Sequence, residues 1–390
     1  MSLPRTLALS TMGCLACAPL FADEPKSSVV HSENAPRAAS APPAPGEEQG
    51  GLFAHLDSEI VSNLAGGLQS GSGLNVVATA GYDLDGASLG LPGSQFTLSA
   101  MALHTAQVRE KYVGSITNPS GLEGEFDRGV LDNLWWRQAW SSRDDFSLST
   151  RLGLYALEDL FLTSESAAQL ANSSFGMDPT LSENFAVSTF PKNGSGLTVE
   201  LGNAADMENA SIGLRYGLWQ GEVDQQSHPF DEGVLNIAEL NLRPSEGTLL
   251  KIGGWTRNVS GEAGLNGAYL SLDQRLLAED ASSLSGFVRT SFTDFSEPAD
   301  DSPRVKSFSA IGLNYAAPFA ARPKDVFTLA YGHLGLESAA EFKGDESFVE
   351  ISYIFNLARG IYLQPDLQYI KNPGGLYDNA WVGILRLHIE

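Results

Sequence analysis

A strict period of two runs through this chain, and it is cleanest at the end. Leu363, Leu367 and Tyr369 share one face of an extended segment, and Gln364, Asp366 and Gln368 share the other. After the turn Pro373-Gly374-Gly375, Trp381, Leu385, Leu387 and Ile389 fall on one face, with Arg386 and His388 opposite. Successive side chains alternate sides only in a strand. An apolar face tipped with aromatics, backed by a polar face, is what a strand needs with lipid on one side and water on the other.

The same unit recurs upstream. Leu74, Val76, Ala78, Ala80 and Tyr82 form one face, and Phe96, Leu98, Ala100 and Ala102 the next. A Trp-rich strand, Leu134–Trp140, follows. Then Phe146, Leu148, Leu152 and Leu154 oppose Ser147, Ser149, Arg151 and Tyr155. Further strands read at Leu197–Asn203, Ser211–Trp219, Asn236–Arg243, Thr248–Arg257, Leu265–Leu276 and Leu284–Asp294. The last third adds Ser307–Tyr315, Val326–His333, Ser347–Leu357, Tyr362–Ile370 and Ala380–Ile389. Turn clusters such as Asn193-Gly194 and Pro244-Ser245-Glu246-Gly247 separate them. Fifteen strands are legible, and single-chain bacterial barrels have an even number, so about sixteen are expected. The missing one lies within 156–192 or 52–68. Leu52, Phe53, Leu56, Ile60, Leu64 and Leu68 have helical spacing, which predicts a short N-terminal helix at the barrel, with a strand as the close alternative. Residues 156–195 form the longest irregular stretch. It is expected to fold inward and narrow the pore, with a short helix over Leu160–Leu170. The fold class is an all-β transmembrane antiparallel β-barrel.

Composition narrows the function. The chain has 390 residues and a net charge of −23, with no basic stripe to neutralise phosphates, so nucleic acid is excluded as a partner. Beyond the N-terminus no apolar run reaches the ~18 residues of a membrane helix. Arg5 followed by the apolar run Thr6–Leu20 and Leu20-Phe21-Ala22 reads as a signal peptide over 1–22. Its removal takes both cysteines, Cys14 and Cys17, and leaves no disulfide or thiolate metal site. Residues 23–50, rich in Pro, Ala, Ser and Glu, read as a disordered periplasmic linker. The barrel is then 51–390, in the outer membrane of a Gram-negative cell.

Turning each apolar face outward assigns the rest to the lumen. The inward set includes Arg151, Arg215, Trp219, Glu239, Asn241, Arg243, Lys251, Trp255, Arg257, Asp273, Arg275, Arg289, Glu350, Asp366, Gln368 and Arg386. Ten of these form the candidate solute-binding set: Arg151, Arg215, Glu239, Asn241, Trp255, Arg257, Asp273, Arg289, Asp366 and Gln368. Guanidinium forks and carboxylates bind vicinal hydroxyls through paired hydrogen bonds. Indole faces cover the apolar side of a pyranose. The competing reading is a structural wall of ion pairs. Trp135, Trp136, Trp140 and Trp381 read as an interfacial girdle. His104 and His333 lack a flanking nucleophile motif, and no P-loop or HExxH motif occurs. No catalysis, cofactor or metal is expected.

Several stretches resemble the carbohydrate-selective porin family of the OprB type. They are Leu363–Ile370 with Asn372-Pro373-Gly374-Gly375 and Asn379–Arg386, Gly267–Gln274, Gly286–Arg289, Leu89–Gly93, and the loop sequence Asn172–Gly176. They run in the family's order from about residue 60 to the end. The resemblance implies a sixteen-stranded outer-membrane porin for passive uptake of sugars such as glucose. Gln364, Asp366, Gln368, Asp273 and Arg289 match family positions. The partners expected are small carbohydrates, outer-membrane lipid and the barrel assembly machinery, with the porin a monomer or homotrimer. A general or acid-solute porin, a barrel enzyme acting on lipid or glycan, and a structural barrel are the alternatives.

Overall fold

Alternation closes the chain on itself. The structure is a computed structural model that describes residues 50–390, except 126, 224–228, 232, 262–263, 280–281, 296, 298 and 300. The stretch read as a signal peptide (1–22) and nearly all of that read as a linker (23–50) lie outside the described residues. The strands are β1 (Leu52–Gly67), β2 (Gly71–Asp85), β3 (Ser94–His104), β4 (Gly129–Arg143), β5 (Phe146–Tyr155) and β6 (Gly194–Gly202). There follow β7 (Ile212–Gln220), β8 (Gly233–Leu242), β9 (Thr248–Val259), β10 (Leu265–Glu279) and β11 (Ser282–Asp294). The last are β12 (Arg304–Ala316), β13 (Val326–Glu337), β14 (Glu346–Ala358), β15 (Ile361–Lys371) and β16 (Asp378–Ile389). Each pairs antiparallel with its sequence neighbours, and β1 pairs with β16, so every ladder is satisfied and no edge remains.

The predicted N-terminal helix is a strand. Leu52, Leu56, Ile60, Leu64 and Leu68 are spaced by four, and four is a multiple of two. The pattern therefore fits one strand face as well as one helix face. Leu52, Leu56, Ile60 and Leu64 of β1, and Leu68 just past its end, are exposed, while Asp57, Glu59, Val61 and Asn63 turn inward. Ile60 sits opposite Leu74 of β2 and Leu385 of β16, closing a continuous apolar belt. The β1–β2 turn needs glycine: Gly66 has φ +73°, and a Cβ there would lie 1.8 Å from the Asn379 carbonyl oxygen.

The apolar belt includes Leu98, Leu134, Leu152, Leu214, Ile252, Ile311, Leu329 and Ile351, all exposed. Trp136, Trp140 and Trp381 belong to this outer face; Tyr369 packs on Trp381 at 4.9 Å and Trp140 on Trp136 at 6.3 Å. Trp135 does not. It points inward and is buried beneath the Arg151 guanidinium, 4.3 Å from its ring centre. It sits one residue from the outward Leu134, so parity, not composition, decides its side.

The long segments 105–128 and 156–193 leave one end of the barrel. The start of β1, the end of β16 and the two-residue turns 144–145 and 359–360 lie at the other. By the usual asymmetry of such barrels, the second end faces the periplasm.

Candidate functional site

The segment 156–193, between β5 and β6, folds into the lumen as expected, but not around a helix at Leu160–Leu170. Leu162 has φ +60°, outside the helical region, and only Ala167–Gln169 forms a single turn there. The helical pieces come later, as α1 (Ser173–Gly176) and α2 (Pro179–Ser182). Each is started by an acceptor side chain: Asn172 takes a hydrogen bond from Ser174 N at 3.1 Å, and Asp178 from Thr180 N at 2.9 Å. Pro179 opens α2, where a missing N–H costs nothing.

The loop has an apolar underside. Phe161, Leu162, Phe175 and Leu181 are fully buried against inward residues of the wall. Phe175 is wedged edge-on between Phe287 and Phe348, at 5.8 and 5.4 Å. Phe161 and Tyr155 meet Trp219 edge-on at 5.6 and 5.2 Å. Trp255 packs against Phe185 of the loop at 5.5 Å, and Gly267 beside it leaves the space its indole fills. Trp219 and Trp255 therefore lie under the loop.

The polar inward residues hold the loop's backbone. Arg289 donates to the carbonyls of Leu162 and Phe175, both at 2.7 Å. Glu239 accepts from Leu162 N at 3.1 Å, Tyr269 Oη at 2.9 Å and Asn241 Nδ2 at 3.0 Å. Arg215 spans Glu200 at 2.7 Å and the Leu160 carbonyl at 2.7 Å. Lys251 reaches the Thr163 carbonyl at 2.9 Å, and Asp273 accepts from Ser164 Oγ at 2.7 Å. Glu350 accepts from the amides of Ala171 and Asn172 at 2.5 and 3.1 Å. Gln368 accepts from Asn172 Nδ2 at 3.1 Å and donates to Asp366 at 3.0 Å. Hydrogen bonds to charged groups are worth about 1.5–3 kcal/mol each, so the set fixes the loop firmly.

Of the ten candidate residues, Arg215, Glu239, Asp273, Arg289 and Gln368 thus touch the loop backbone or its side chains directly, and Trp255 packs on it. Asn241 and Asp366 brace their neighbours on the wall. Arg257 donates to the Gly221 carbonyl at 2.8 Å and lies 4.7 Å from the Phe185 ring. Arg151 lies over Trp135, 3.7 Å from Asp159 at the root of the loop. Arg275 of the inward set is exposed at the periplasmic rim, 3.3 Å from Glu246.

A second inward segment, 105–128, escapes sequence reading because it has neither regular period nor unusual composition. Glu346 gathers the amides of Ile116, Thr117 and Gly374 at 2.8, 3.2 and 2.6 Å. Glu59 bonds Asn75 at 2.9 Å, Arg386 at 2.9 Å and, very closely, the Ser120 hydroxyl. The two segments are tied to each other by Gly121 N to the Ala171 carbonyl at 2.7 Å and by Arg109 to Glu183 at 3.2 Å. Burial raises the Glu183 carboxyl from 4.5 to about 7, with Arg109 pulling the other way. Glu59 and Glu346 carried one signal, inward parity. For Glu59 it was hidden by the helical reading of β1.

A family model, carbohydrate-selective porin of the OprB family, matches residues 77–390. The chain belongs to the carbohydrate-selective porin family. The porin's barrel is also similar to solved structures at low identity. The high-pH structure of Pseudomonas putida OprB superposes with a TM-score of 0.74 at 17% identity, covering 87% of this chain and 94% of that one. Its low-pH structure gives 0.56 at 16% identity, covering 87% and 92%. A loop-deletion mutant of OmpT, an outer-membrane protein of Vibrio cholerae, gives 0.53 at 10% identity, covering 88% and 99%. A comparison with curated proteins finds no match. The family and the barrel place the porin in the outer membrane as a channel.

Proposed function

We propose that this porin admits glucose-sized sugars to the periplasm by passive diffusion, and that the clamped loop 156–193 sets the limit on their size. One observation carries the reading: wall residues from seven strands, β7 to β11, β14 and β15, grip a single loop inside a barrel of the carbohydrate-selective family. A gripped loop gives a constriction of fixed width, which size selection requires. The inward guanidiniums of Arg137, Arg215, Arg243 and Arg386 stay partly exposed, Arg215 beside its partner Glu200 and Arg386 beside Glu59. We assign them, ahead of the loop-covered Trp255 and Arg289, the contacts with sugar hydroxyls, because forks reach vicinal pairs with little side-chain reorganisation. Weak, repeated contacts of this kind let a neutral solute enter and leave.

Liposome swelling with a graded series of sugars, amino acids and peptides of matched size tests this. Glucose should permeate faster than an amino acid of equal size. Equal rates for all three classes would leave a general diffusion channel, and turnover of lipid or glycan without permeation would leave an enzyme.

A further inference from the structure

On the outer face near the periplasmic end, the turn 317–325 between β12 and β13 folds back over the barrel wall. Phe319 is 61% exposed, yet its ring stacks on the outward Tyr353 of β14 at 6.4 Å, with Phe355 4.4 Å beyond. The turn is braced in that position. Asp325 accepts from Tyr353 Oη and Asn356 N, both at 3.0 Å, and from Arg322, closely through Nε and at 3.1 Å through Nη2. Arg322 also reaches the Asn356 carbonyl at 3.1 Å and faces the Phe355 ring at 5.4 Å. Asp325 and Arg322 neutralise each other. That leaves Lys324 on this turn and Arg359 on the adjoining β14–β15 turn, both exposed and with no hydrogen bond or ion pair among the described residues. Elsewhere the same rim is acidic: Asp83, Asp85, Asp144, Asp145, Asp206, Glu208, Glu246 and Glu279 outnumber Arg143, Arg243 and Arg275.

We infer that this sector is a docking site for an anionic phospholipid of the periplasmic leaflet. Its rings lie against the acyl–headgroup boundary, and Lys324 and Arg359 pair with the headgroup phosphate. Two observations select lipid as the occupant. The aromatic platform is continuous with the lipid-facing belt, where Phe319 and Tyr353 sit at the depth aromatic side chains prefer. The two unpaired cations sit beside that platform on a rim that otherwise repels anions, and a basic residue near an anionic leaflet contributes roughly fivefold in affinity. An acidic periplasmic protein would be met by the charges but would have no use for rings facing hydrocarbon.

The test is native mass spectrometry of the purified porin with dioleoyl phosphatidylglycerol, dioleoyl phosphatidylethanolamine or dioleoylglycerol. Phosphatidylglycerol should be retained preferentially. Lys324→Gln/Arg359→Gln should lower its affinity more than tenfold without changing dioleoylglycerol retention, and Phe319→Ala should weaken all three lipids. Heat modifiability of each variant on gels confirms that the barrel is folded. Equal retention of phosphatidylglycerol and dioleoylglycerol, or an unchanged double variant, would overturn the proposal. So would displacement of phosphatidylglycerol by equimolar inorganic phosphate, which would mark an anion site without the lipid. The outcome is independent of which solute the lumen passes.

Discussion

Arg289 illustrates how a residue type can be legible while its use is not. Its inward position follows from period two, and its buried guanidinium grips two loop carbonyls at 2.7 Å. Nothing in the sequence shows that the carbonyls belong to residues more than a hundred positions away. Replacing it with methionine, Arg289→Met, should cost about 3 kcal/mol or more, because two buried carbonyls lose charged donors. The expected readout is a larger, noisier single-channel conductance with the barrel still folded. An unchanged trace would show that the apolar wedge at Phe175 holds the loop alone. Glu183 gives a second test at this scale. Its carboxyl is raised to about 7 in the closed arrangement, so that arrangement binds the proton more tightly than the released one. The contribution is full below about pH 4.5, fades as pH rises through 7, and amounts to roughly 3 kcal/mol at most. Channel noise should therefore increase between pH 5 and pH 8, and Glu183→Gln should abolish the change. A wild-type trace independent of pH would show that Glu183 does not help hold the two inward segments together.

Strands were the part of the fold most legible in the sequence, because lipid on one side and water on the other impose the same two-residue rule on every one. The exception, β1, fails for an arithmetic reason: leucines four apart satisfy both periods. A second blur comes from function. Inward Phe287, Phe308 and Phe348 break the polar rule where loops dock. The route of the loops is the part sequence could not supply, since their anchors are single side chains on distant strands. The belt itself makes a quantitative prediction. Ile311→Arg, near the middle of β12 and facing lipid, should destabilise the barrel by about 2–4 kcal/mol. Urea unfolding in vesicles checks it, and a loss below about 1 kcal/mol would put Ile311 at the interface rather than at the membrane's centre. Ala310→Ser, one residue away and turned inward beneath the loop, should change stability less.

At the scale of the molecule, barrel and loop are separable in sequence though not in packing. The β5–β6 ladder runs in unbroken register from Tyr155↔Gly194 to Ser147↔Gly202, and the inserted residue that ties its open end, Ser188, lies outside 163–184. Deleting 163–184 should therefore leave a heat-modifiable barrel whose conductance rises severalfold and which no longer separates sugars from amino acids. Conductance at the wild-type value would mean that the segment 105–128 sets the constriction instead. The loop's attachment to many strands has a mechanical consequence too. A thin cylinder flattens easily when squeezed from the side, whereas one with spokes fixed around its interior keeps a round cross-section. The residues that narrow this passage also stiffen its wall, so its permeability should stay constant when the surrounding bilayer is stretched or compressed.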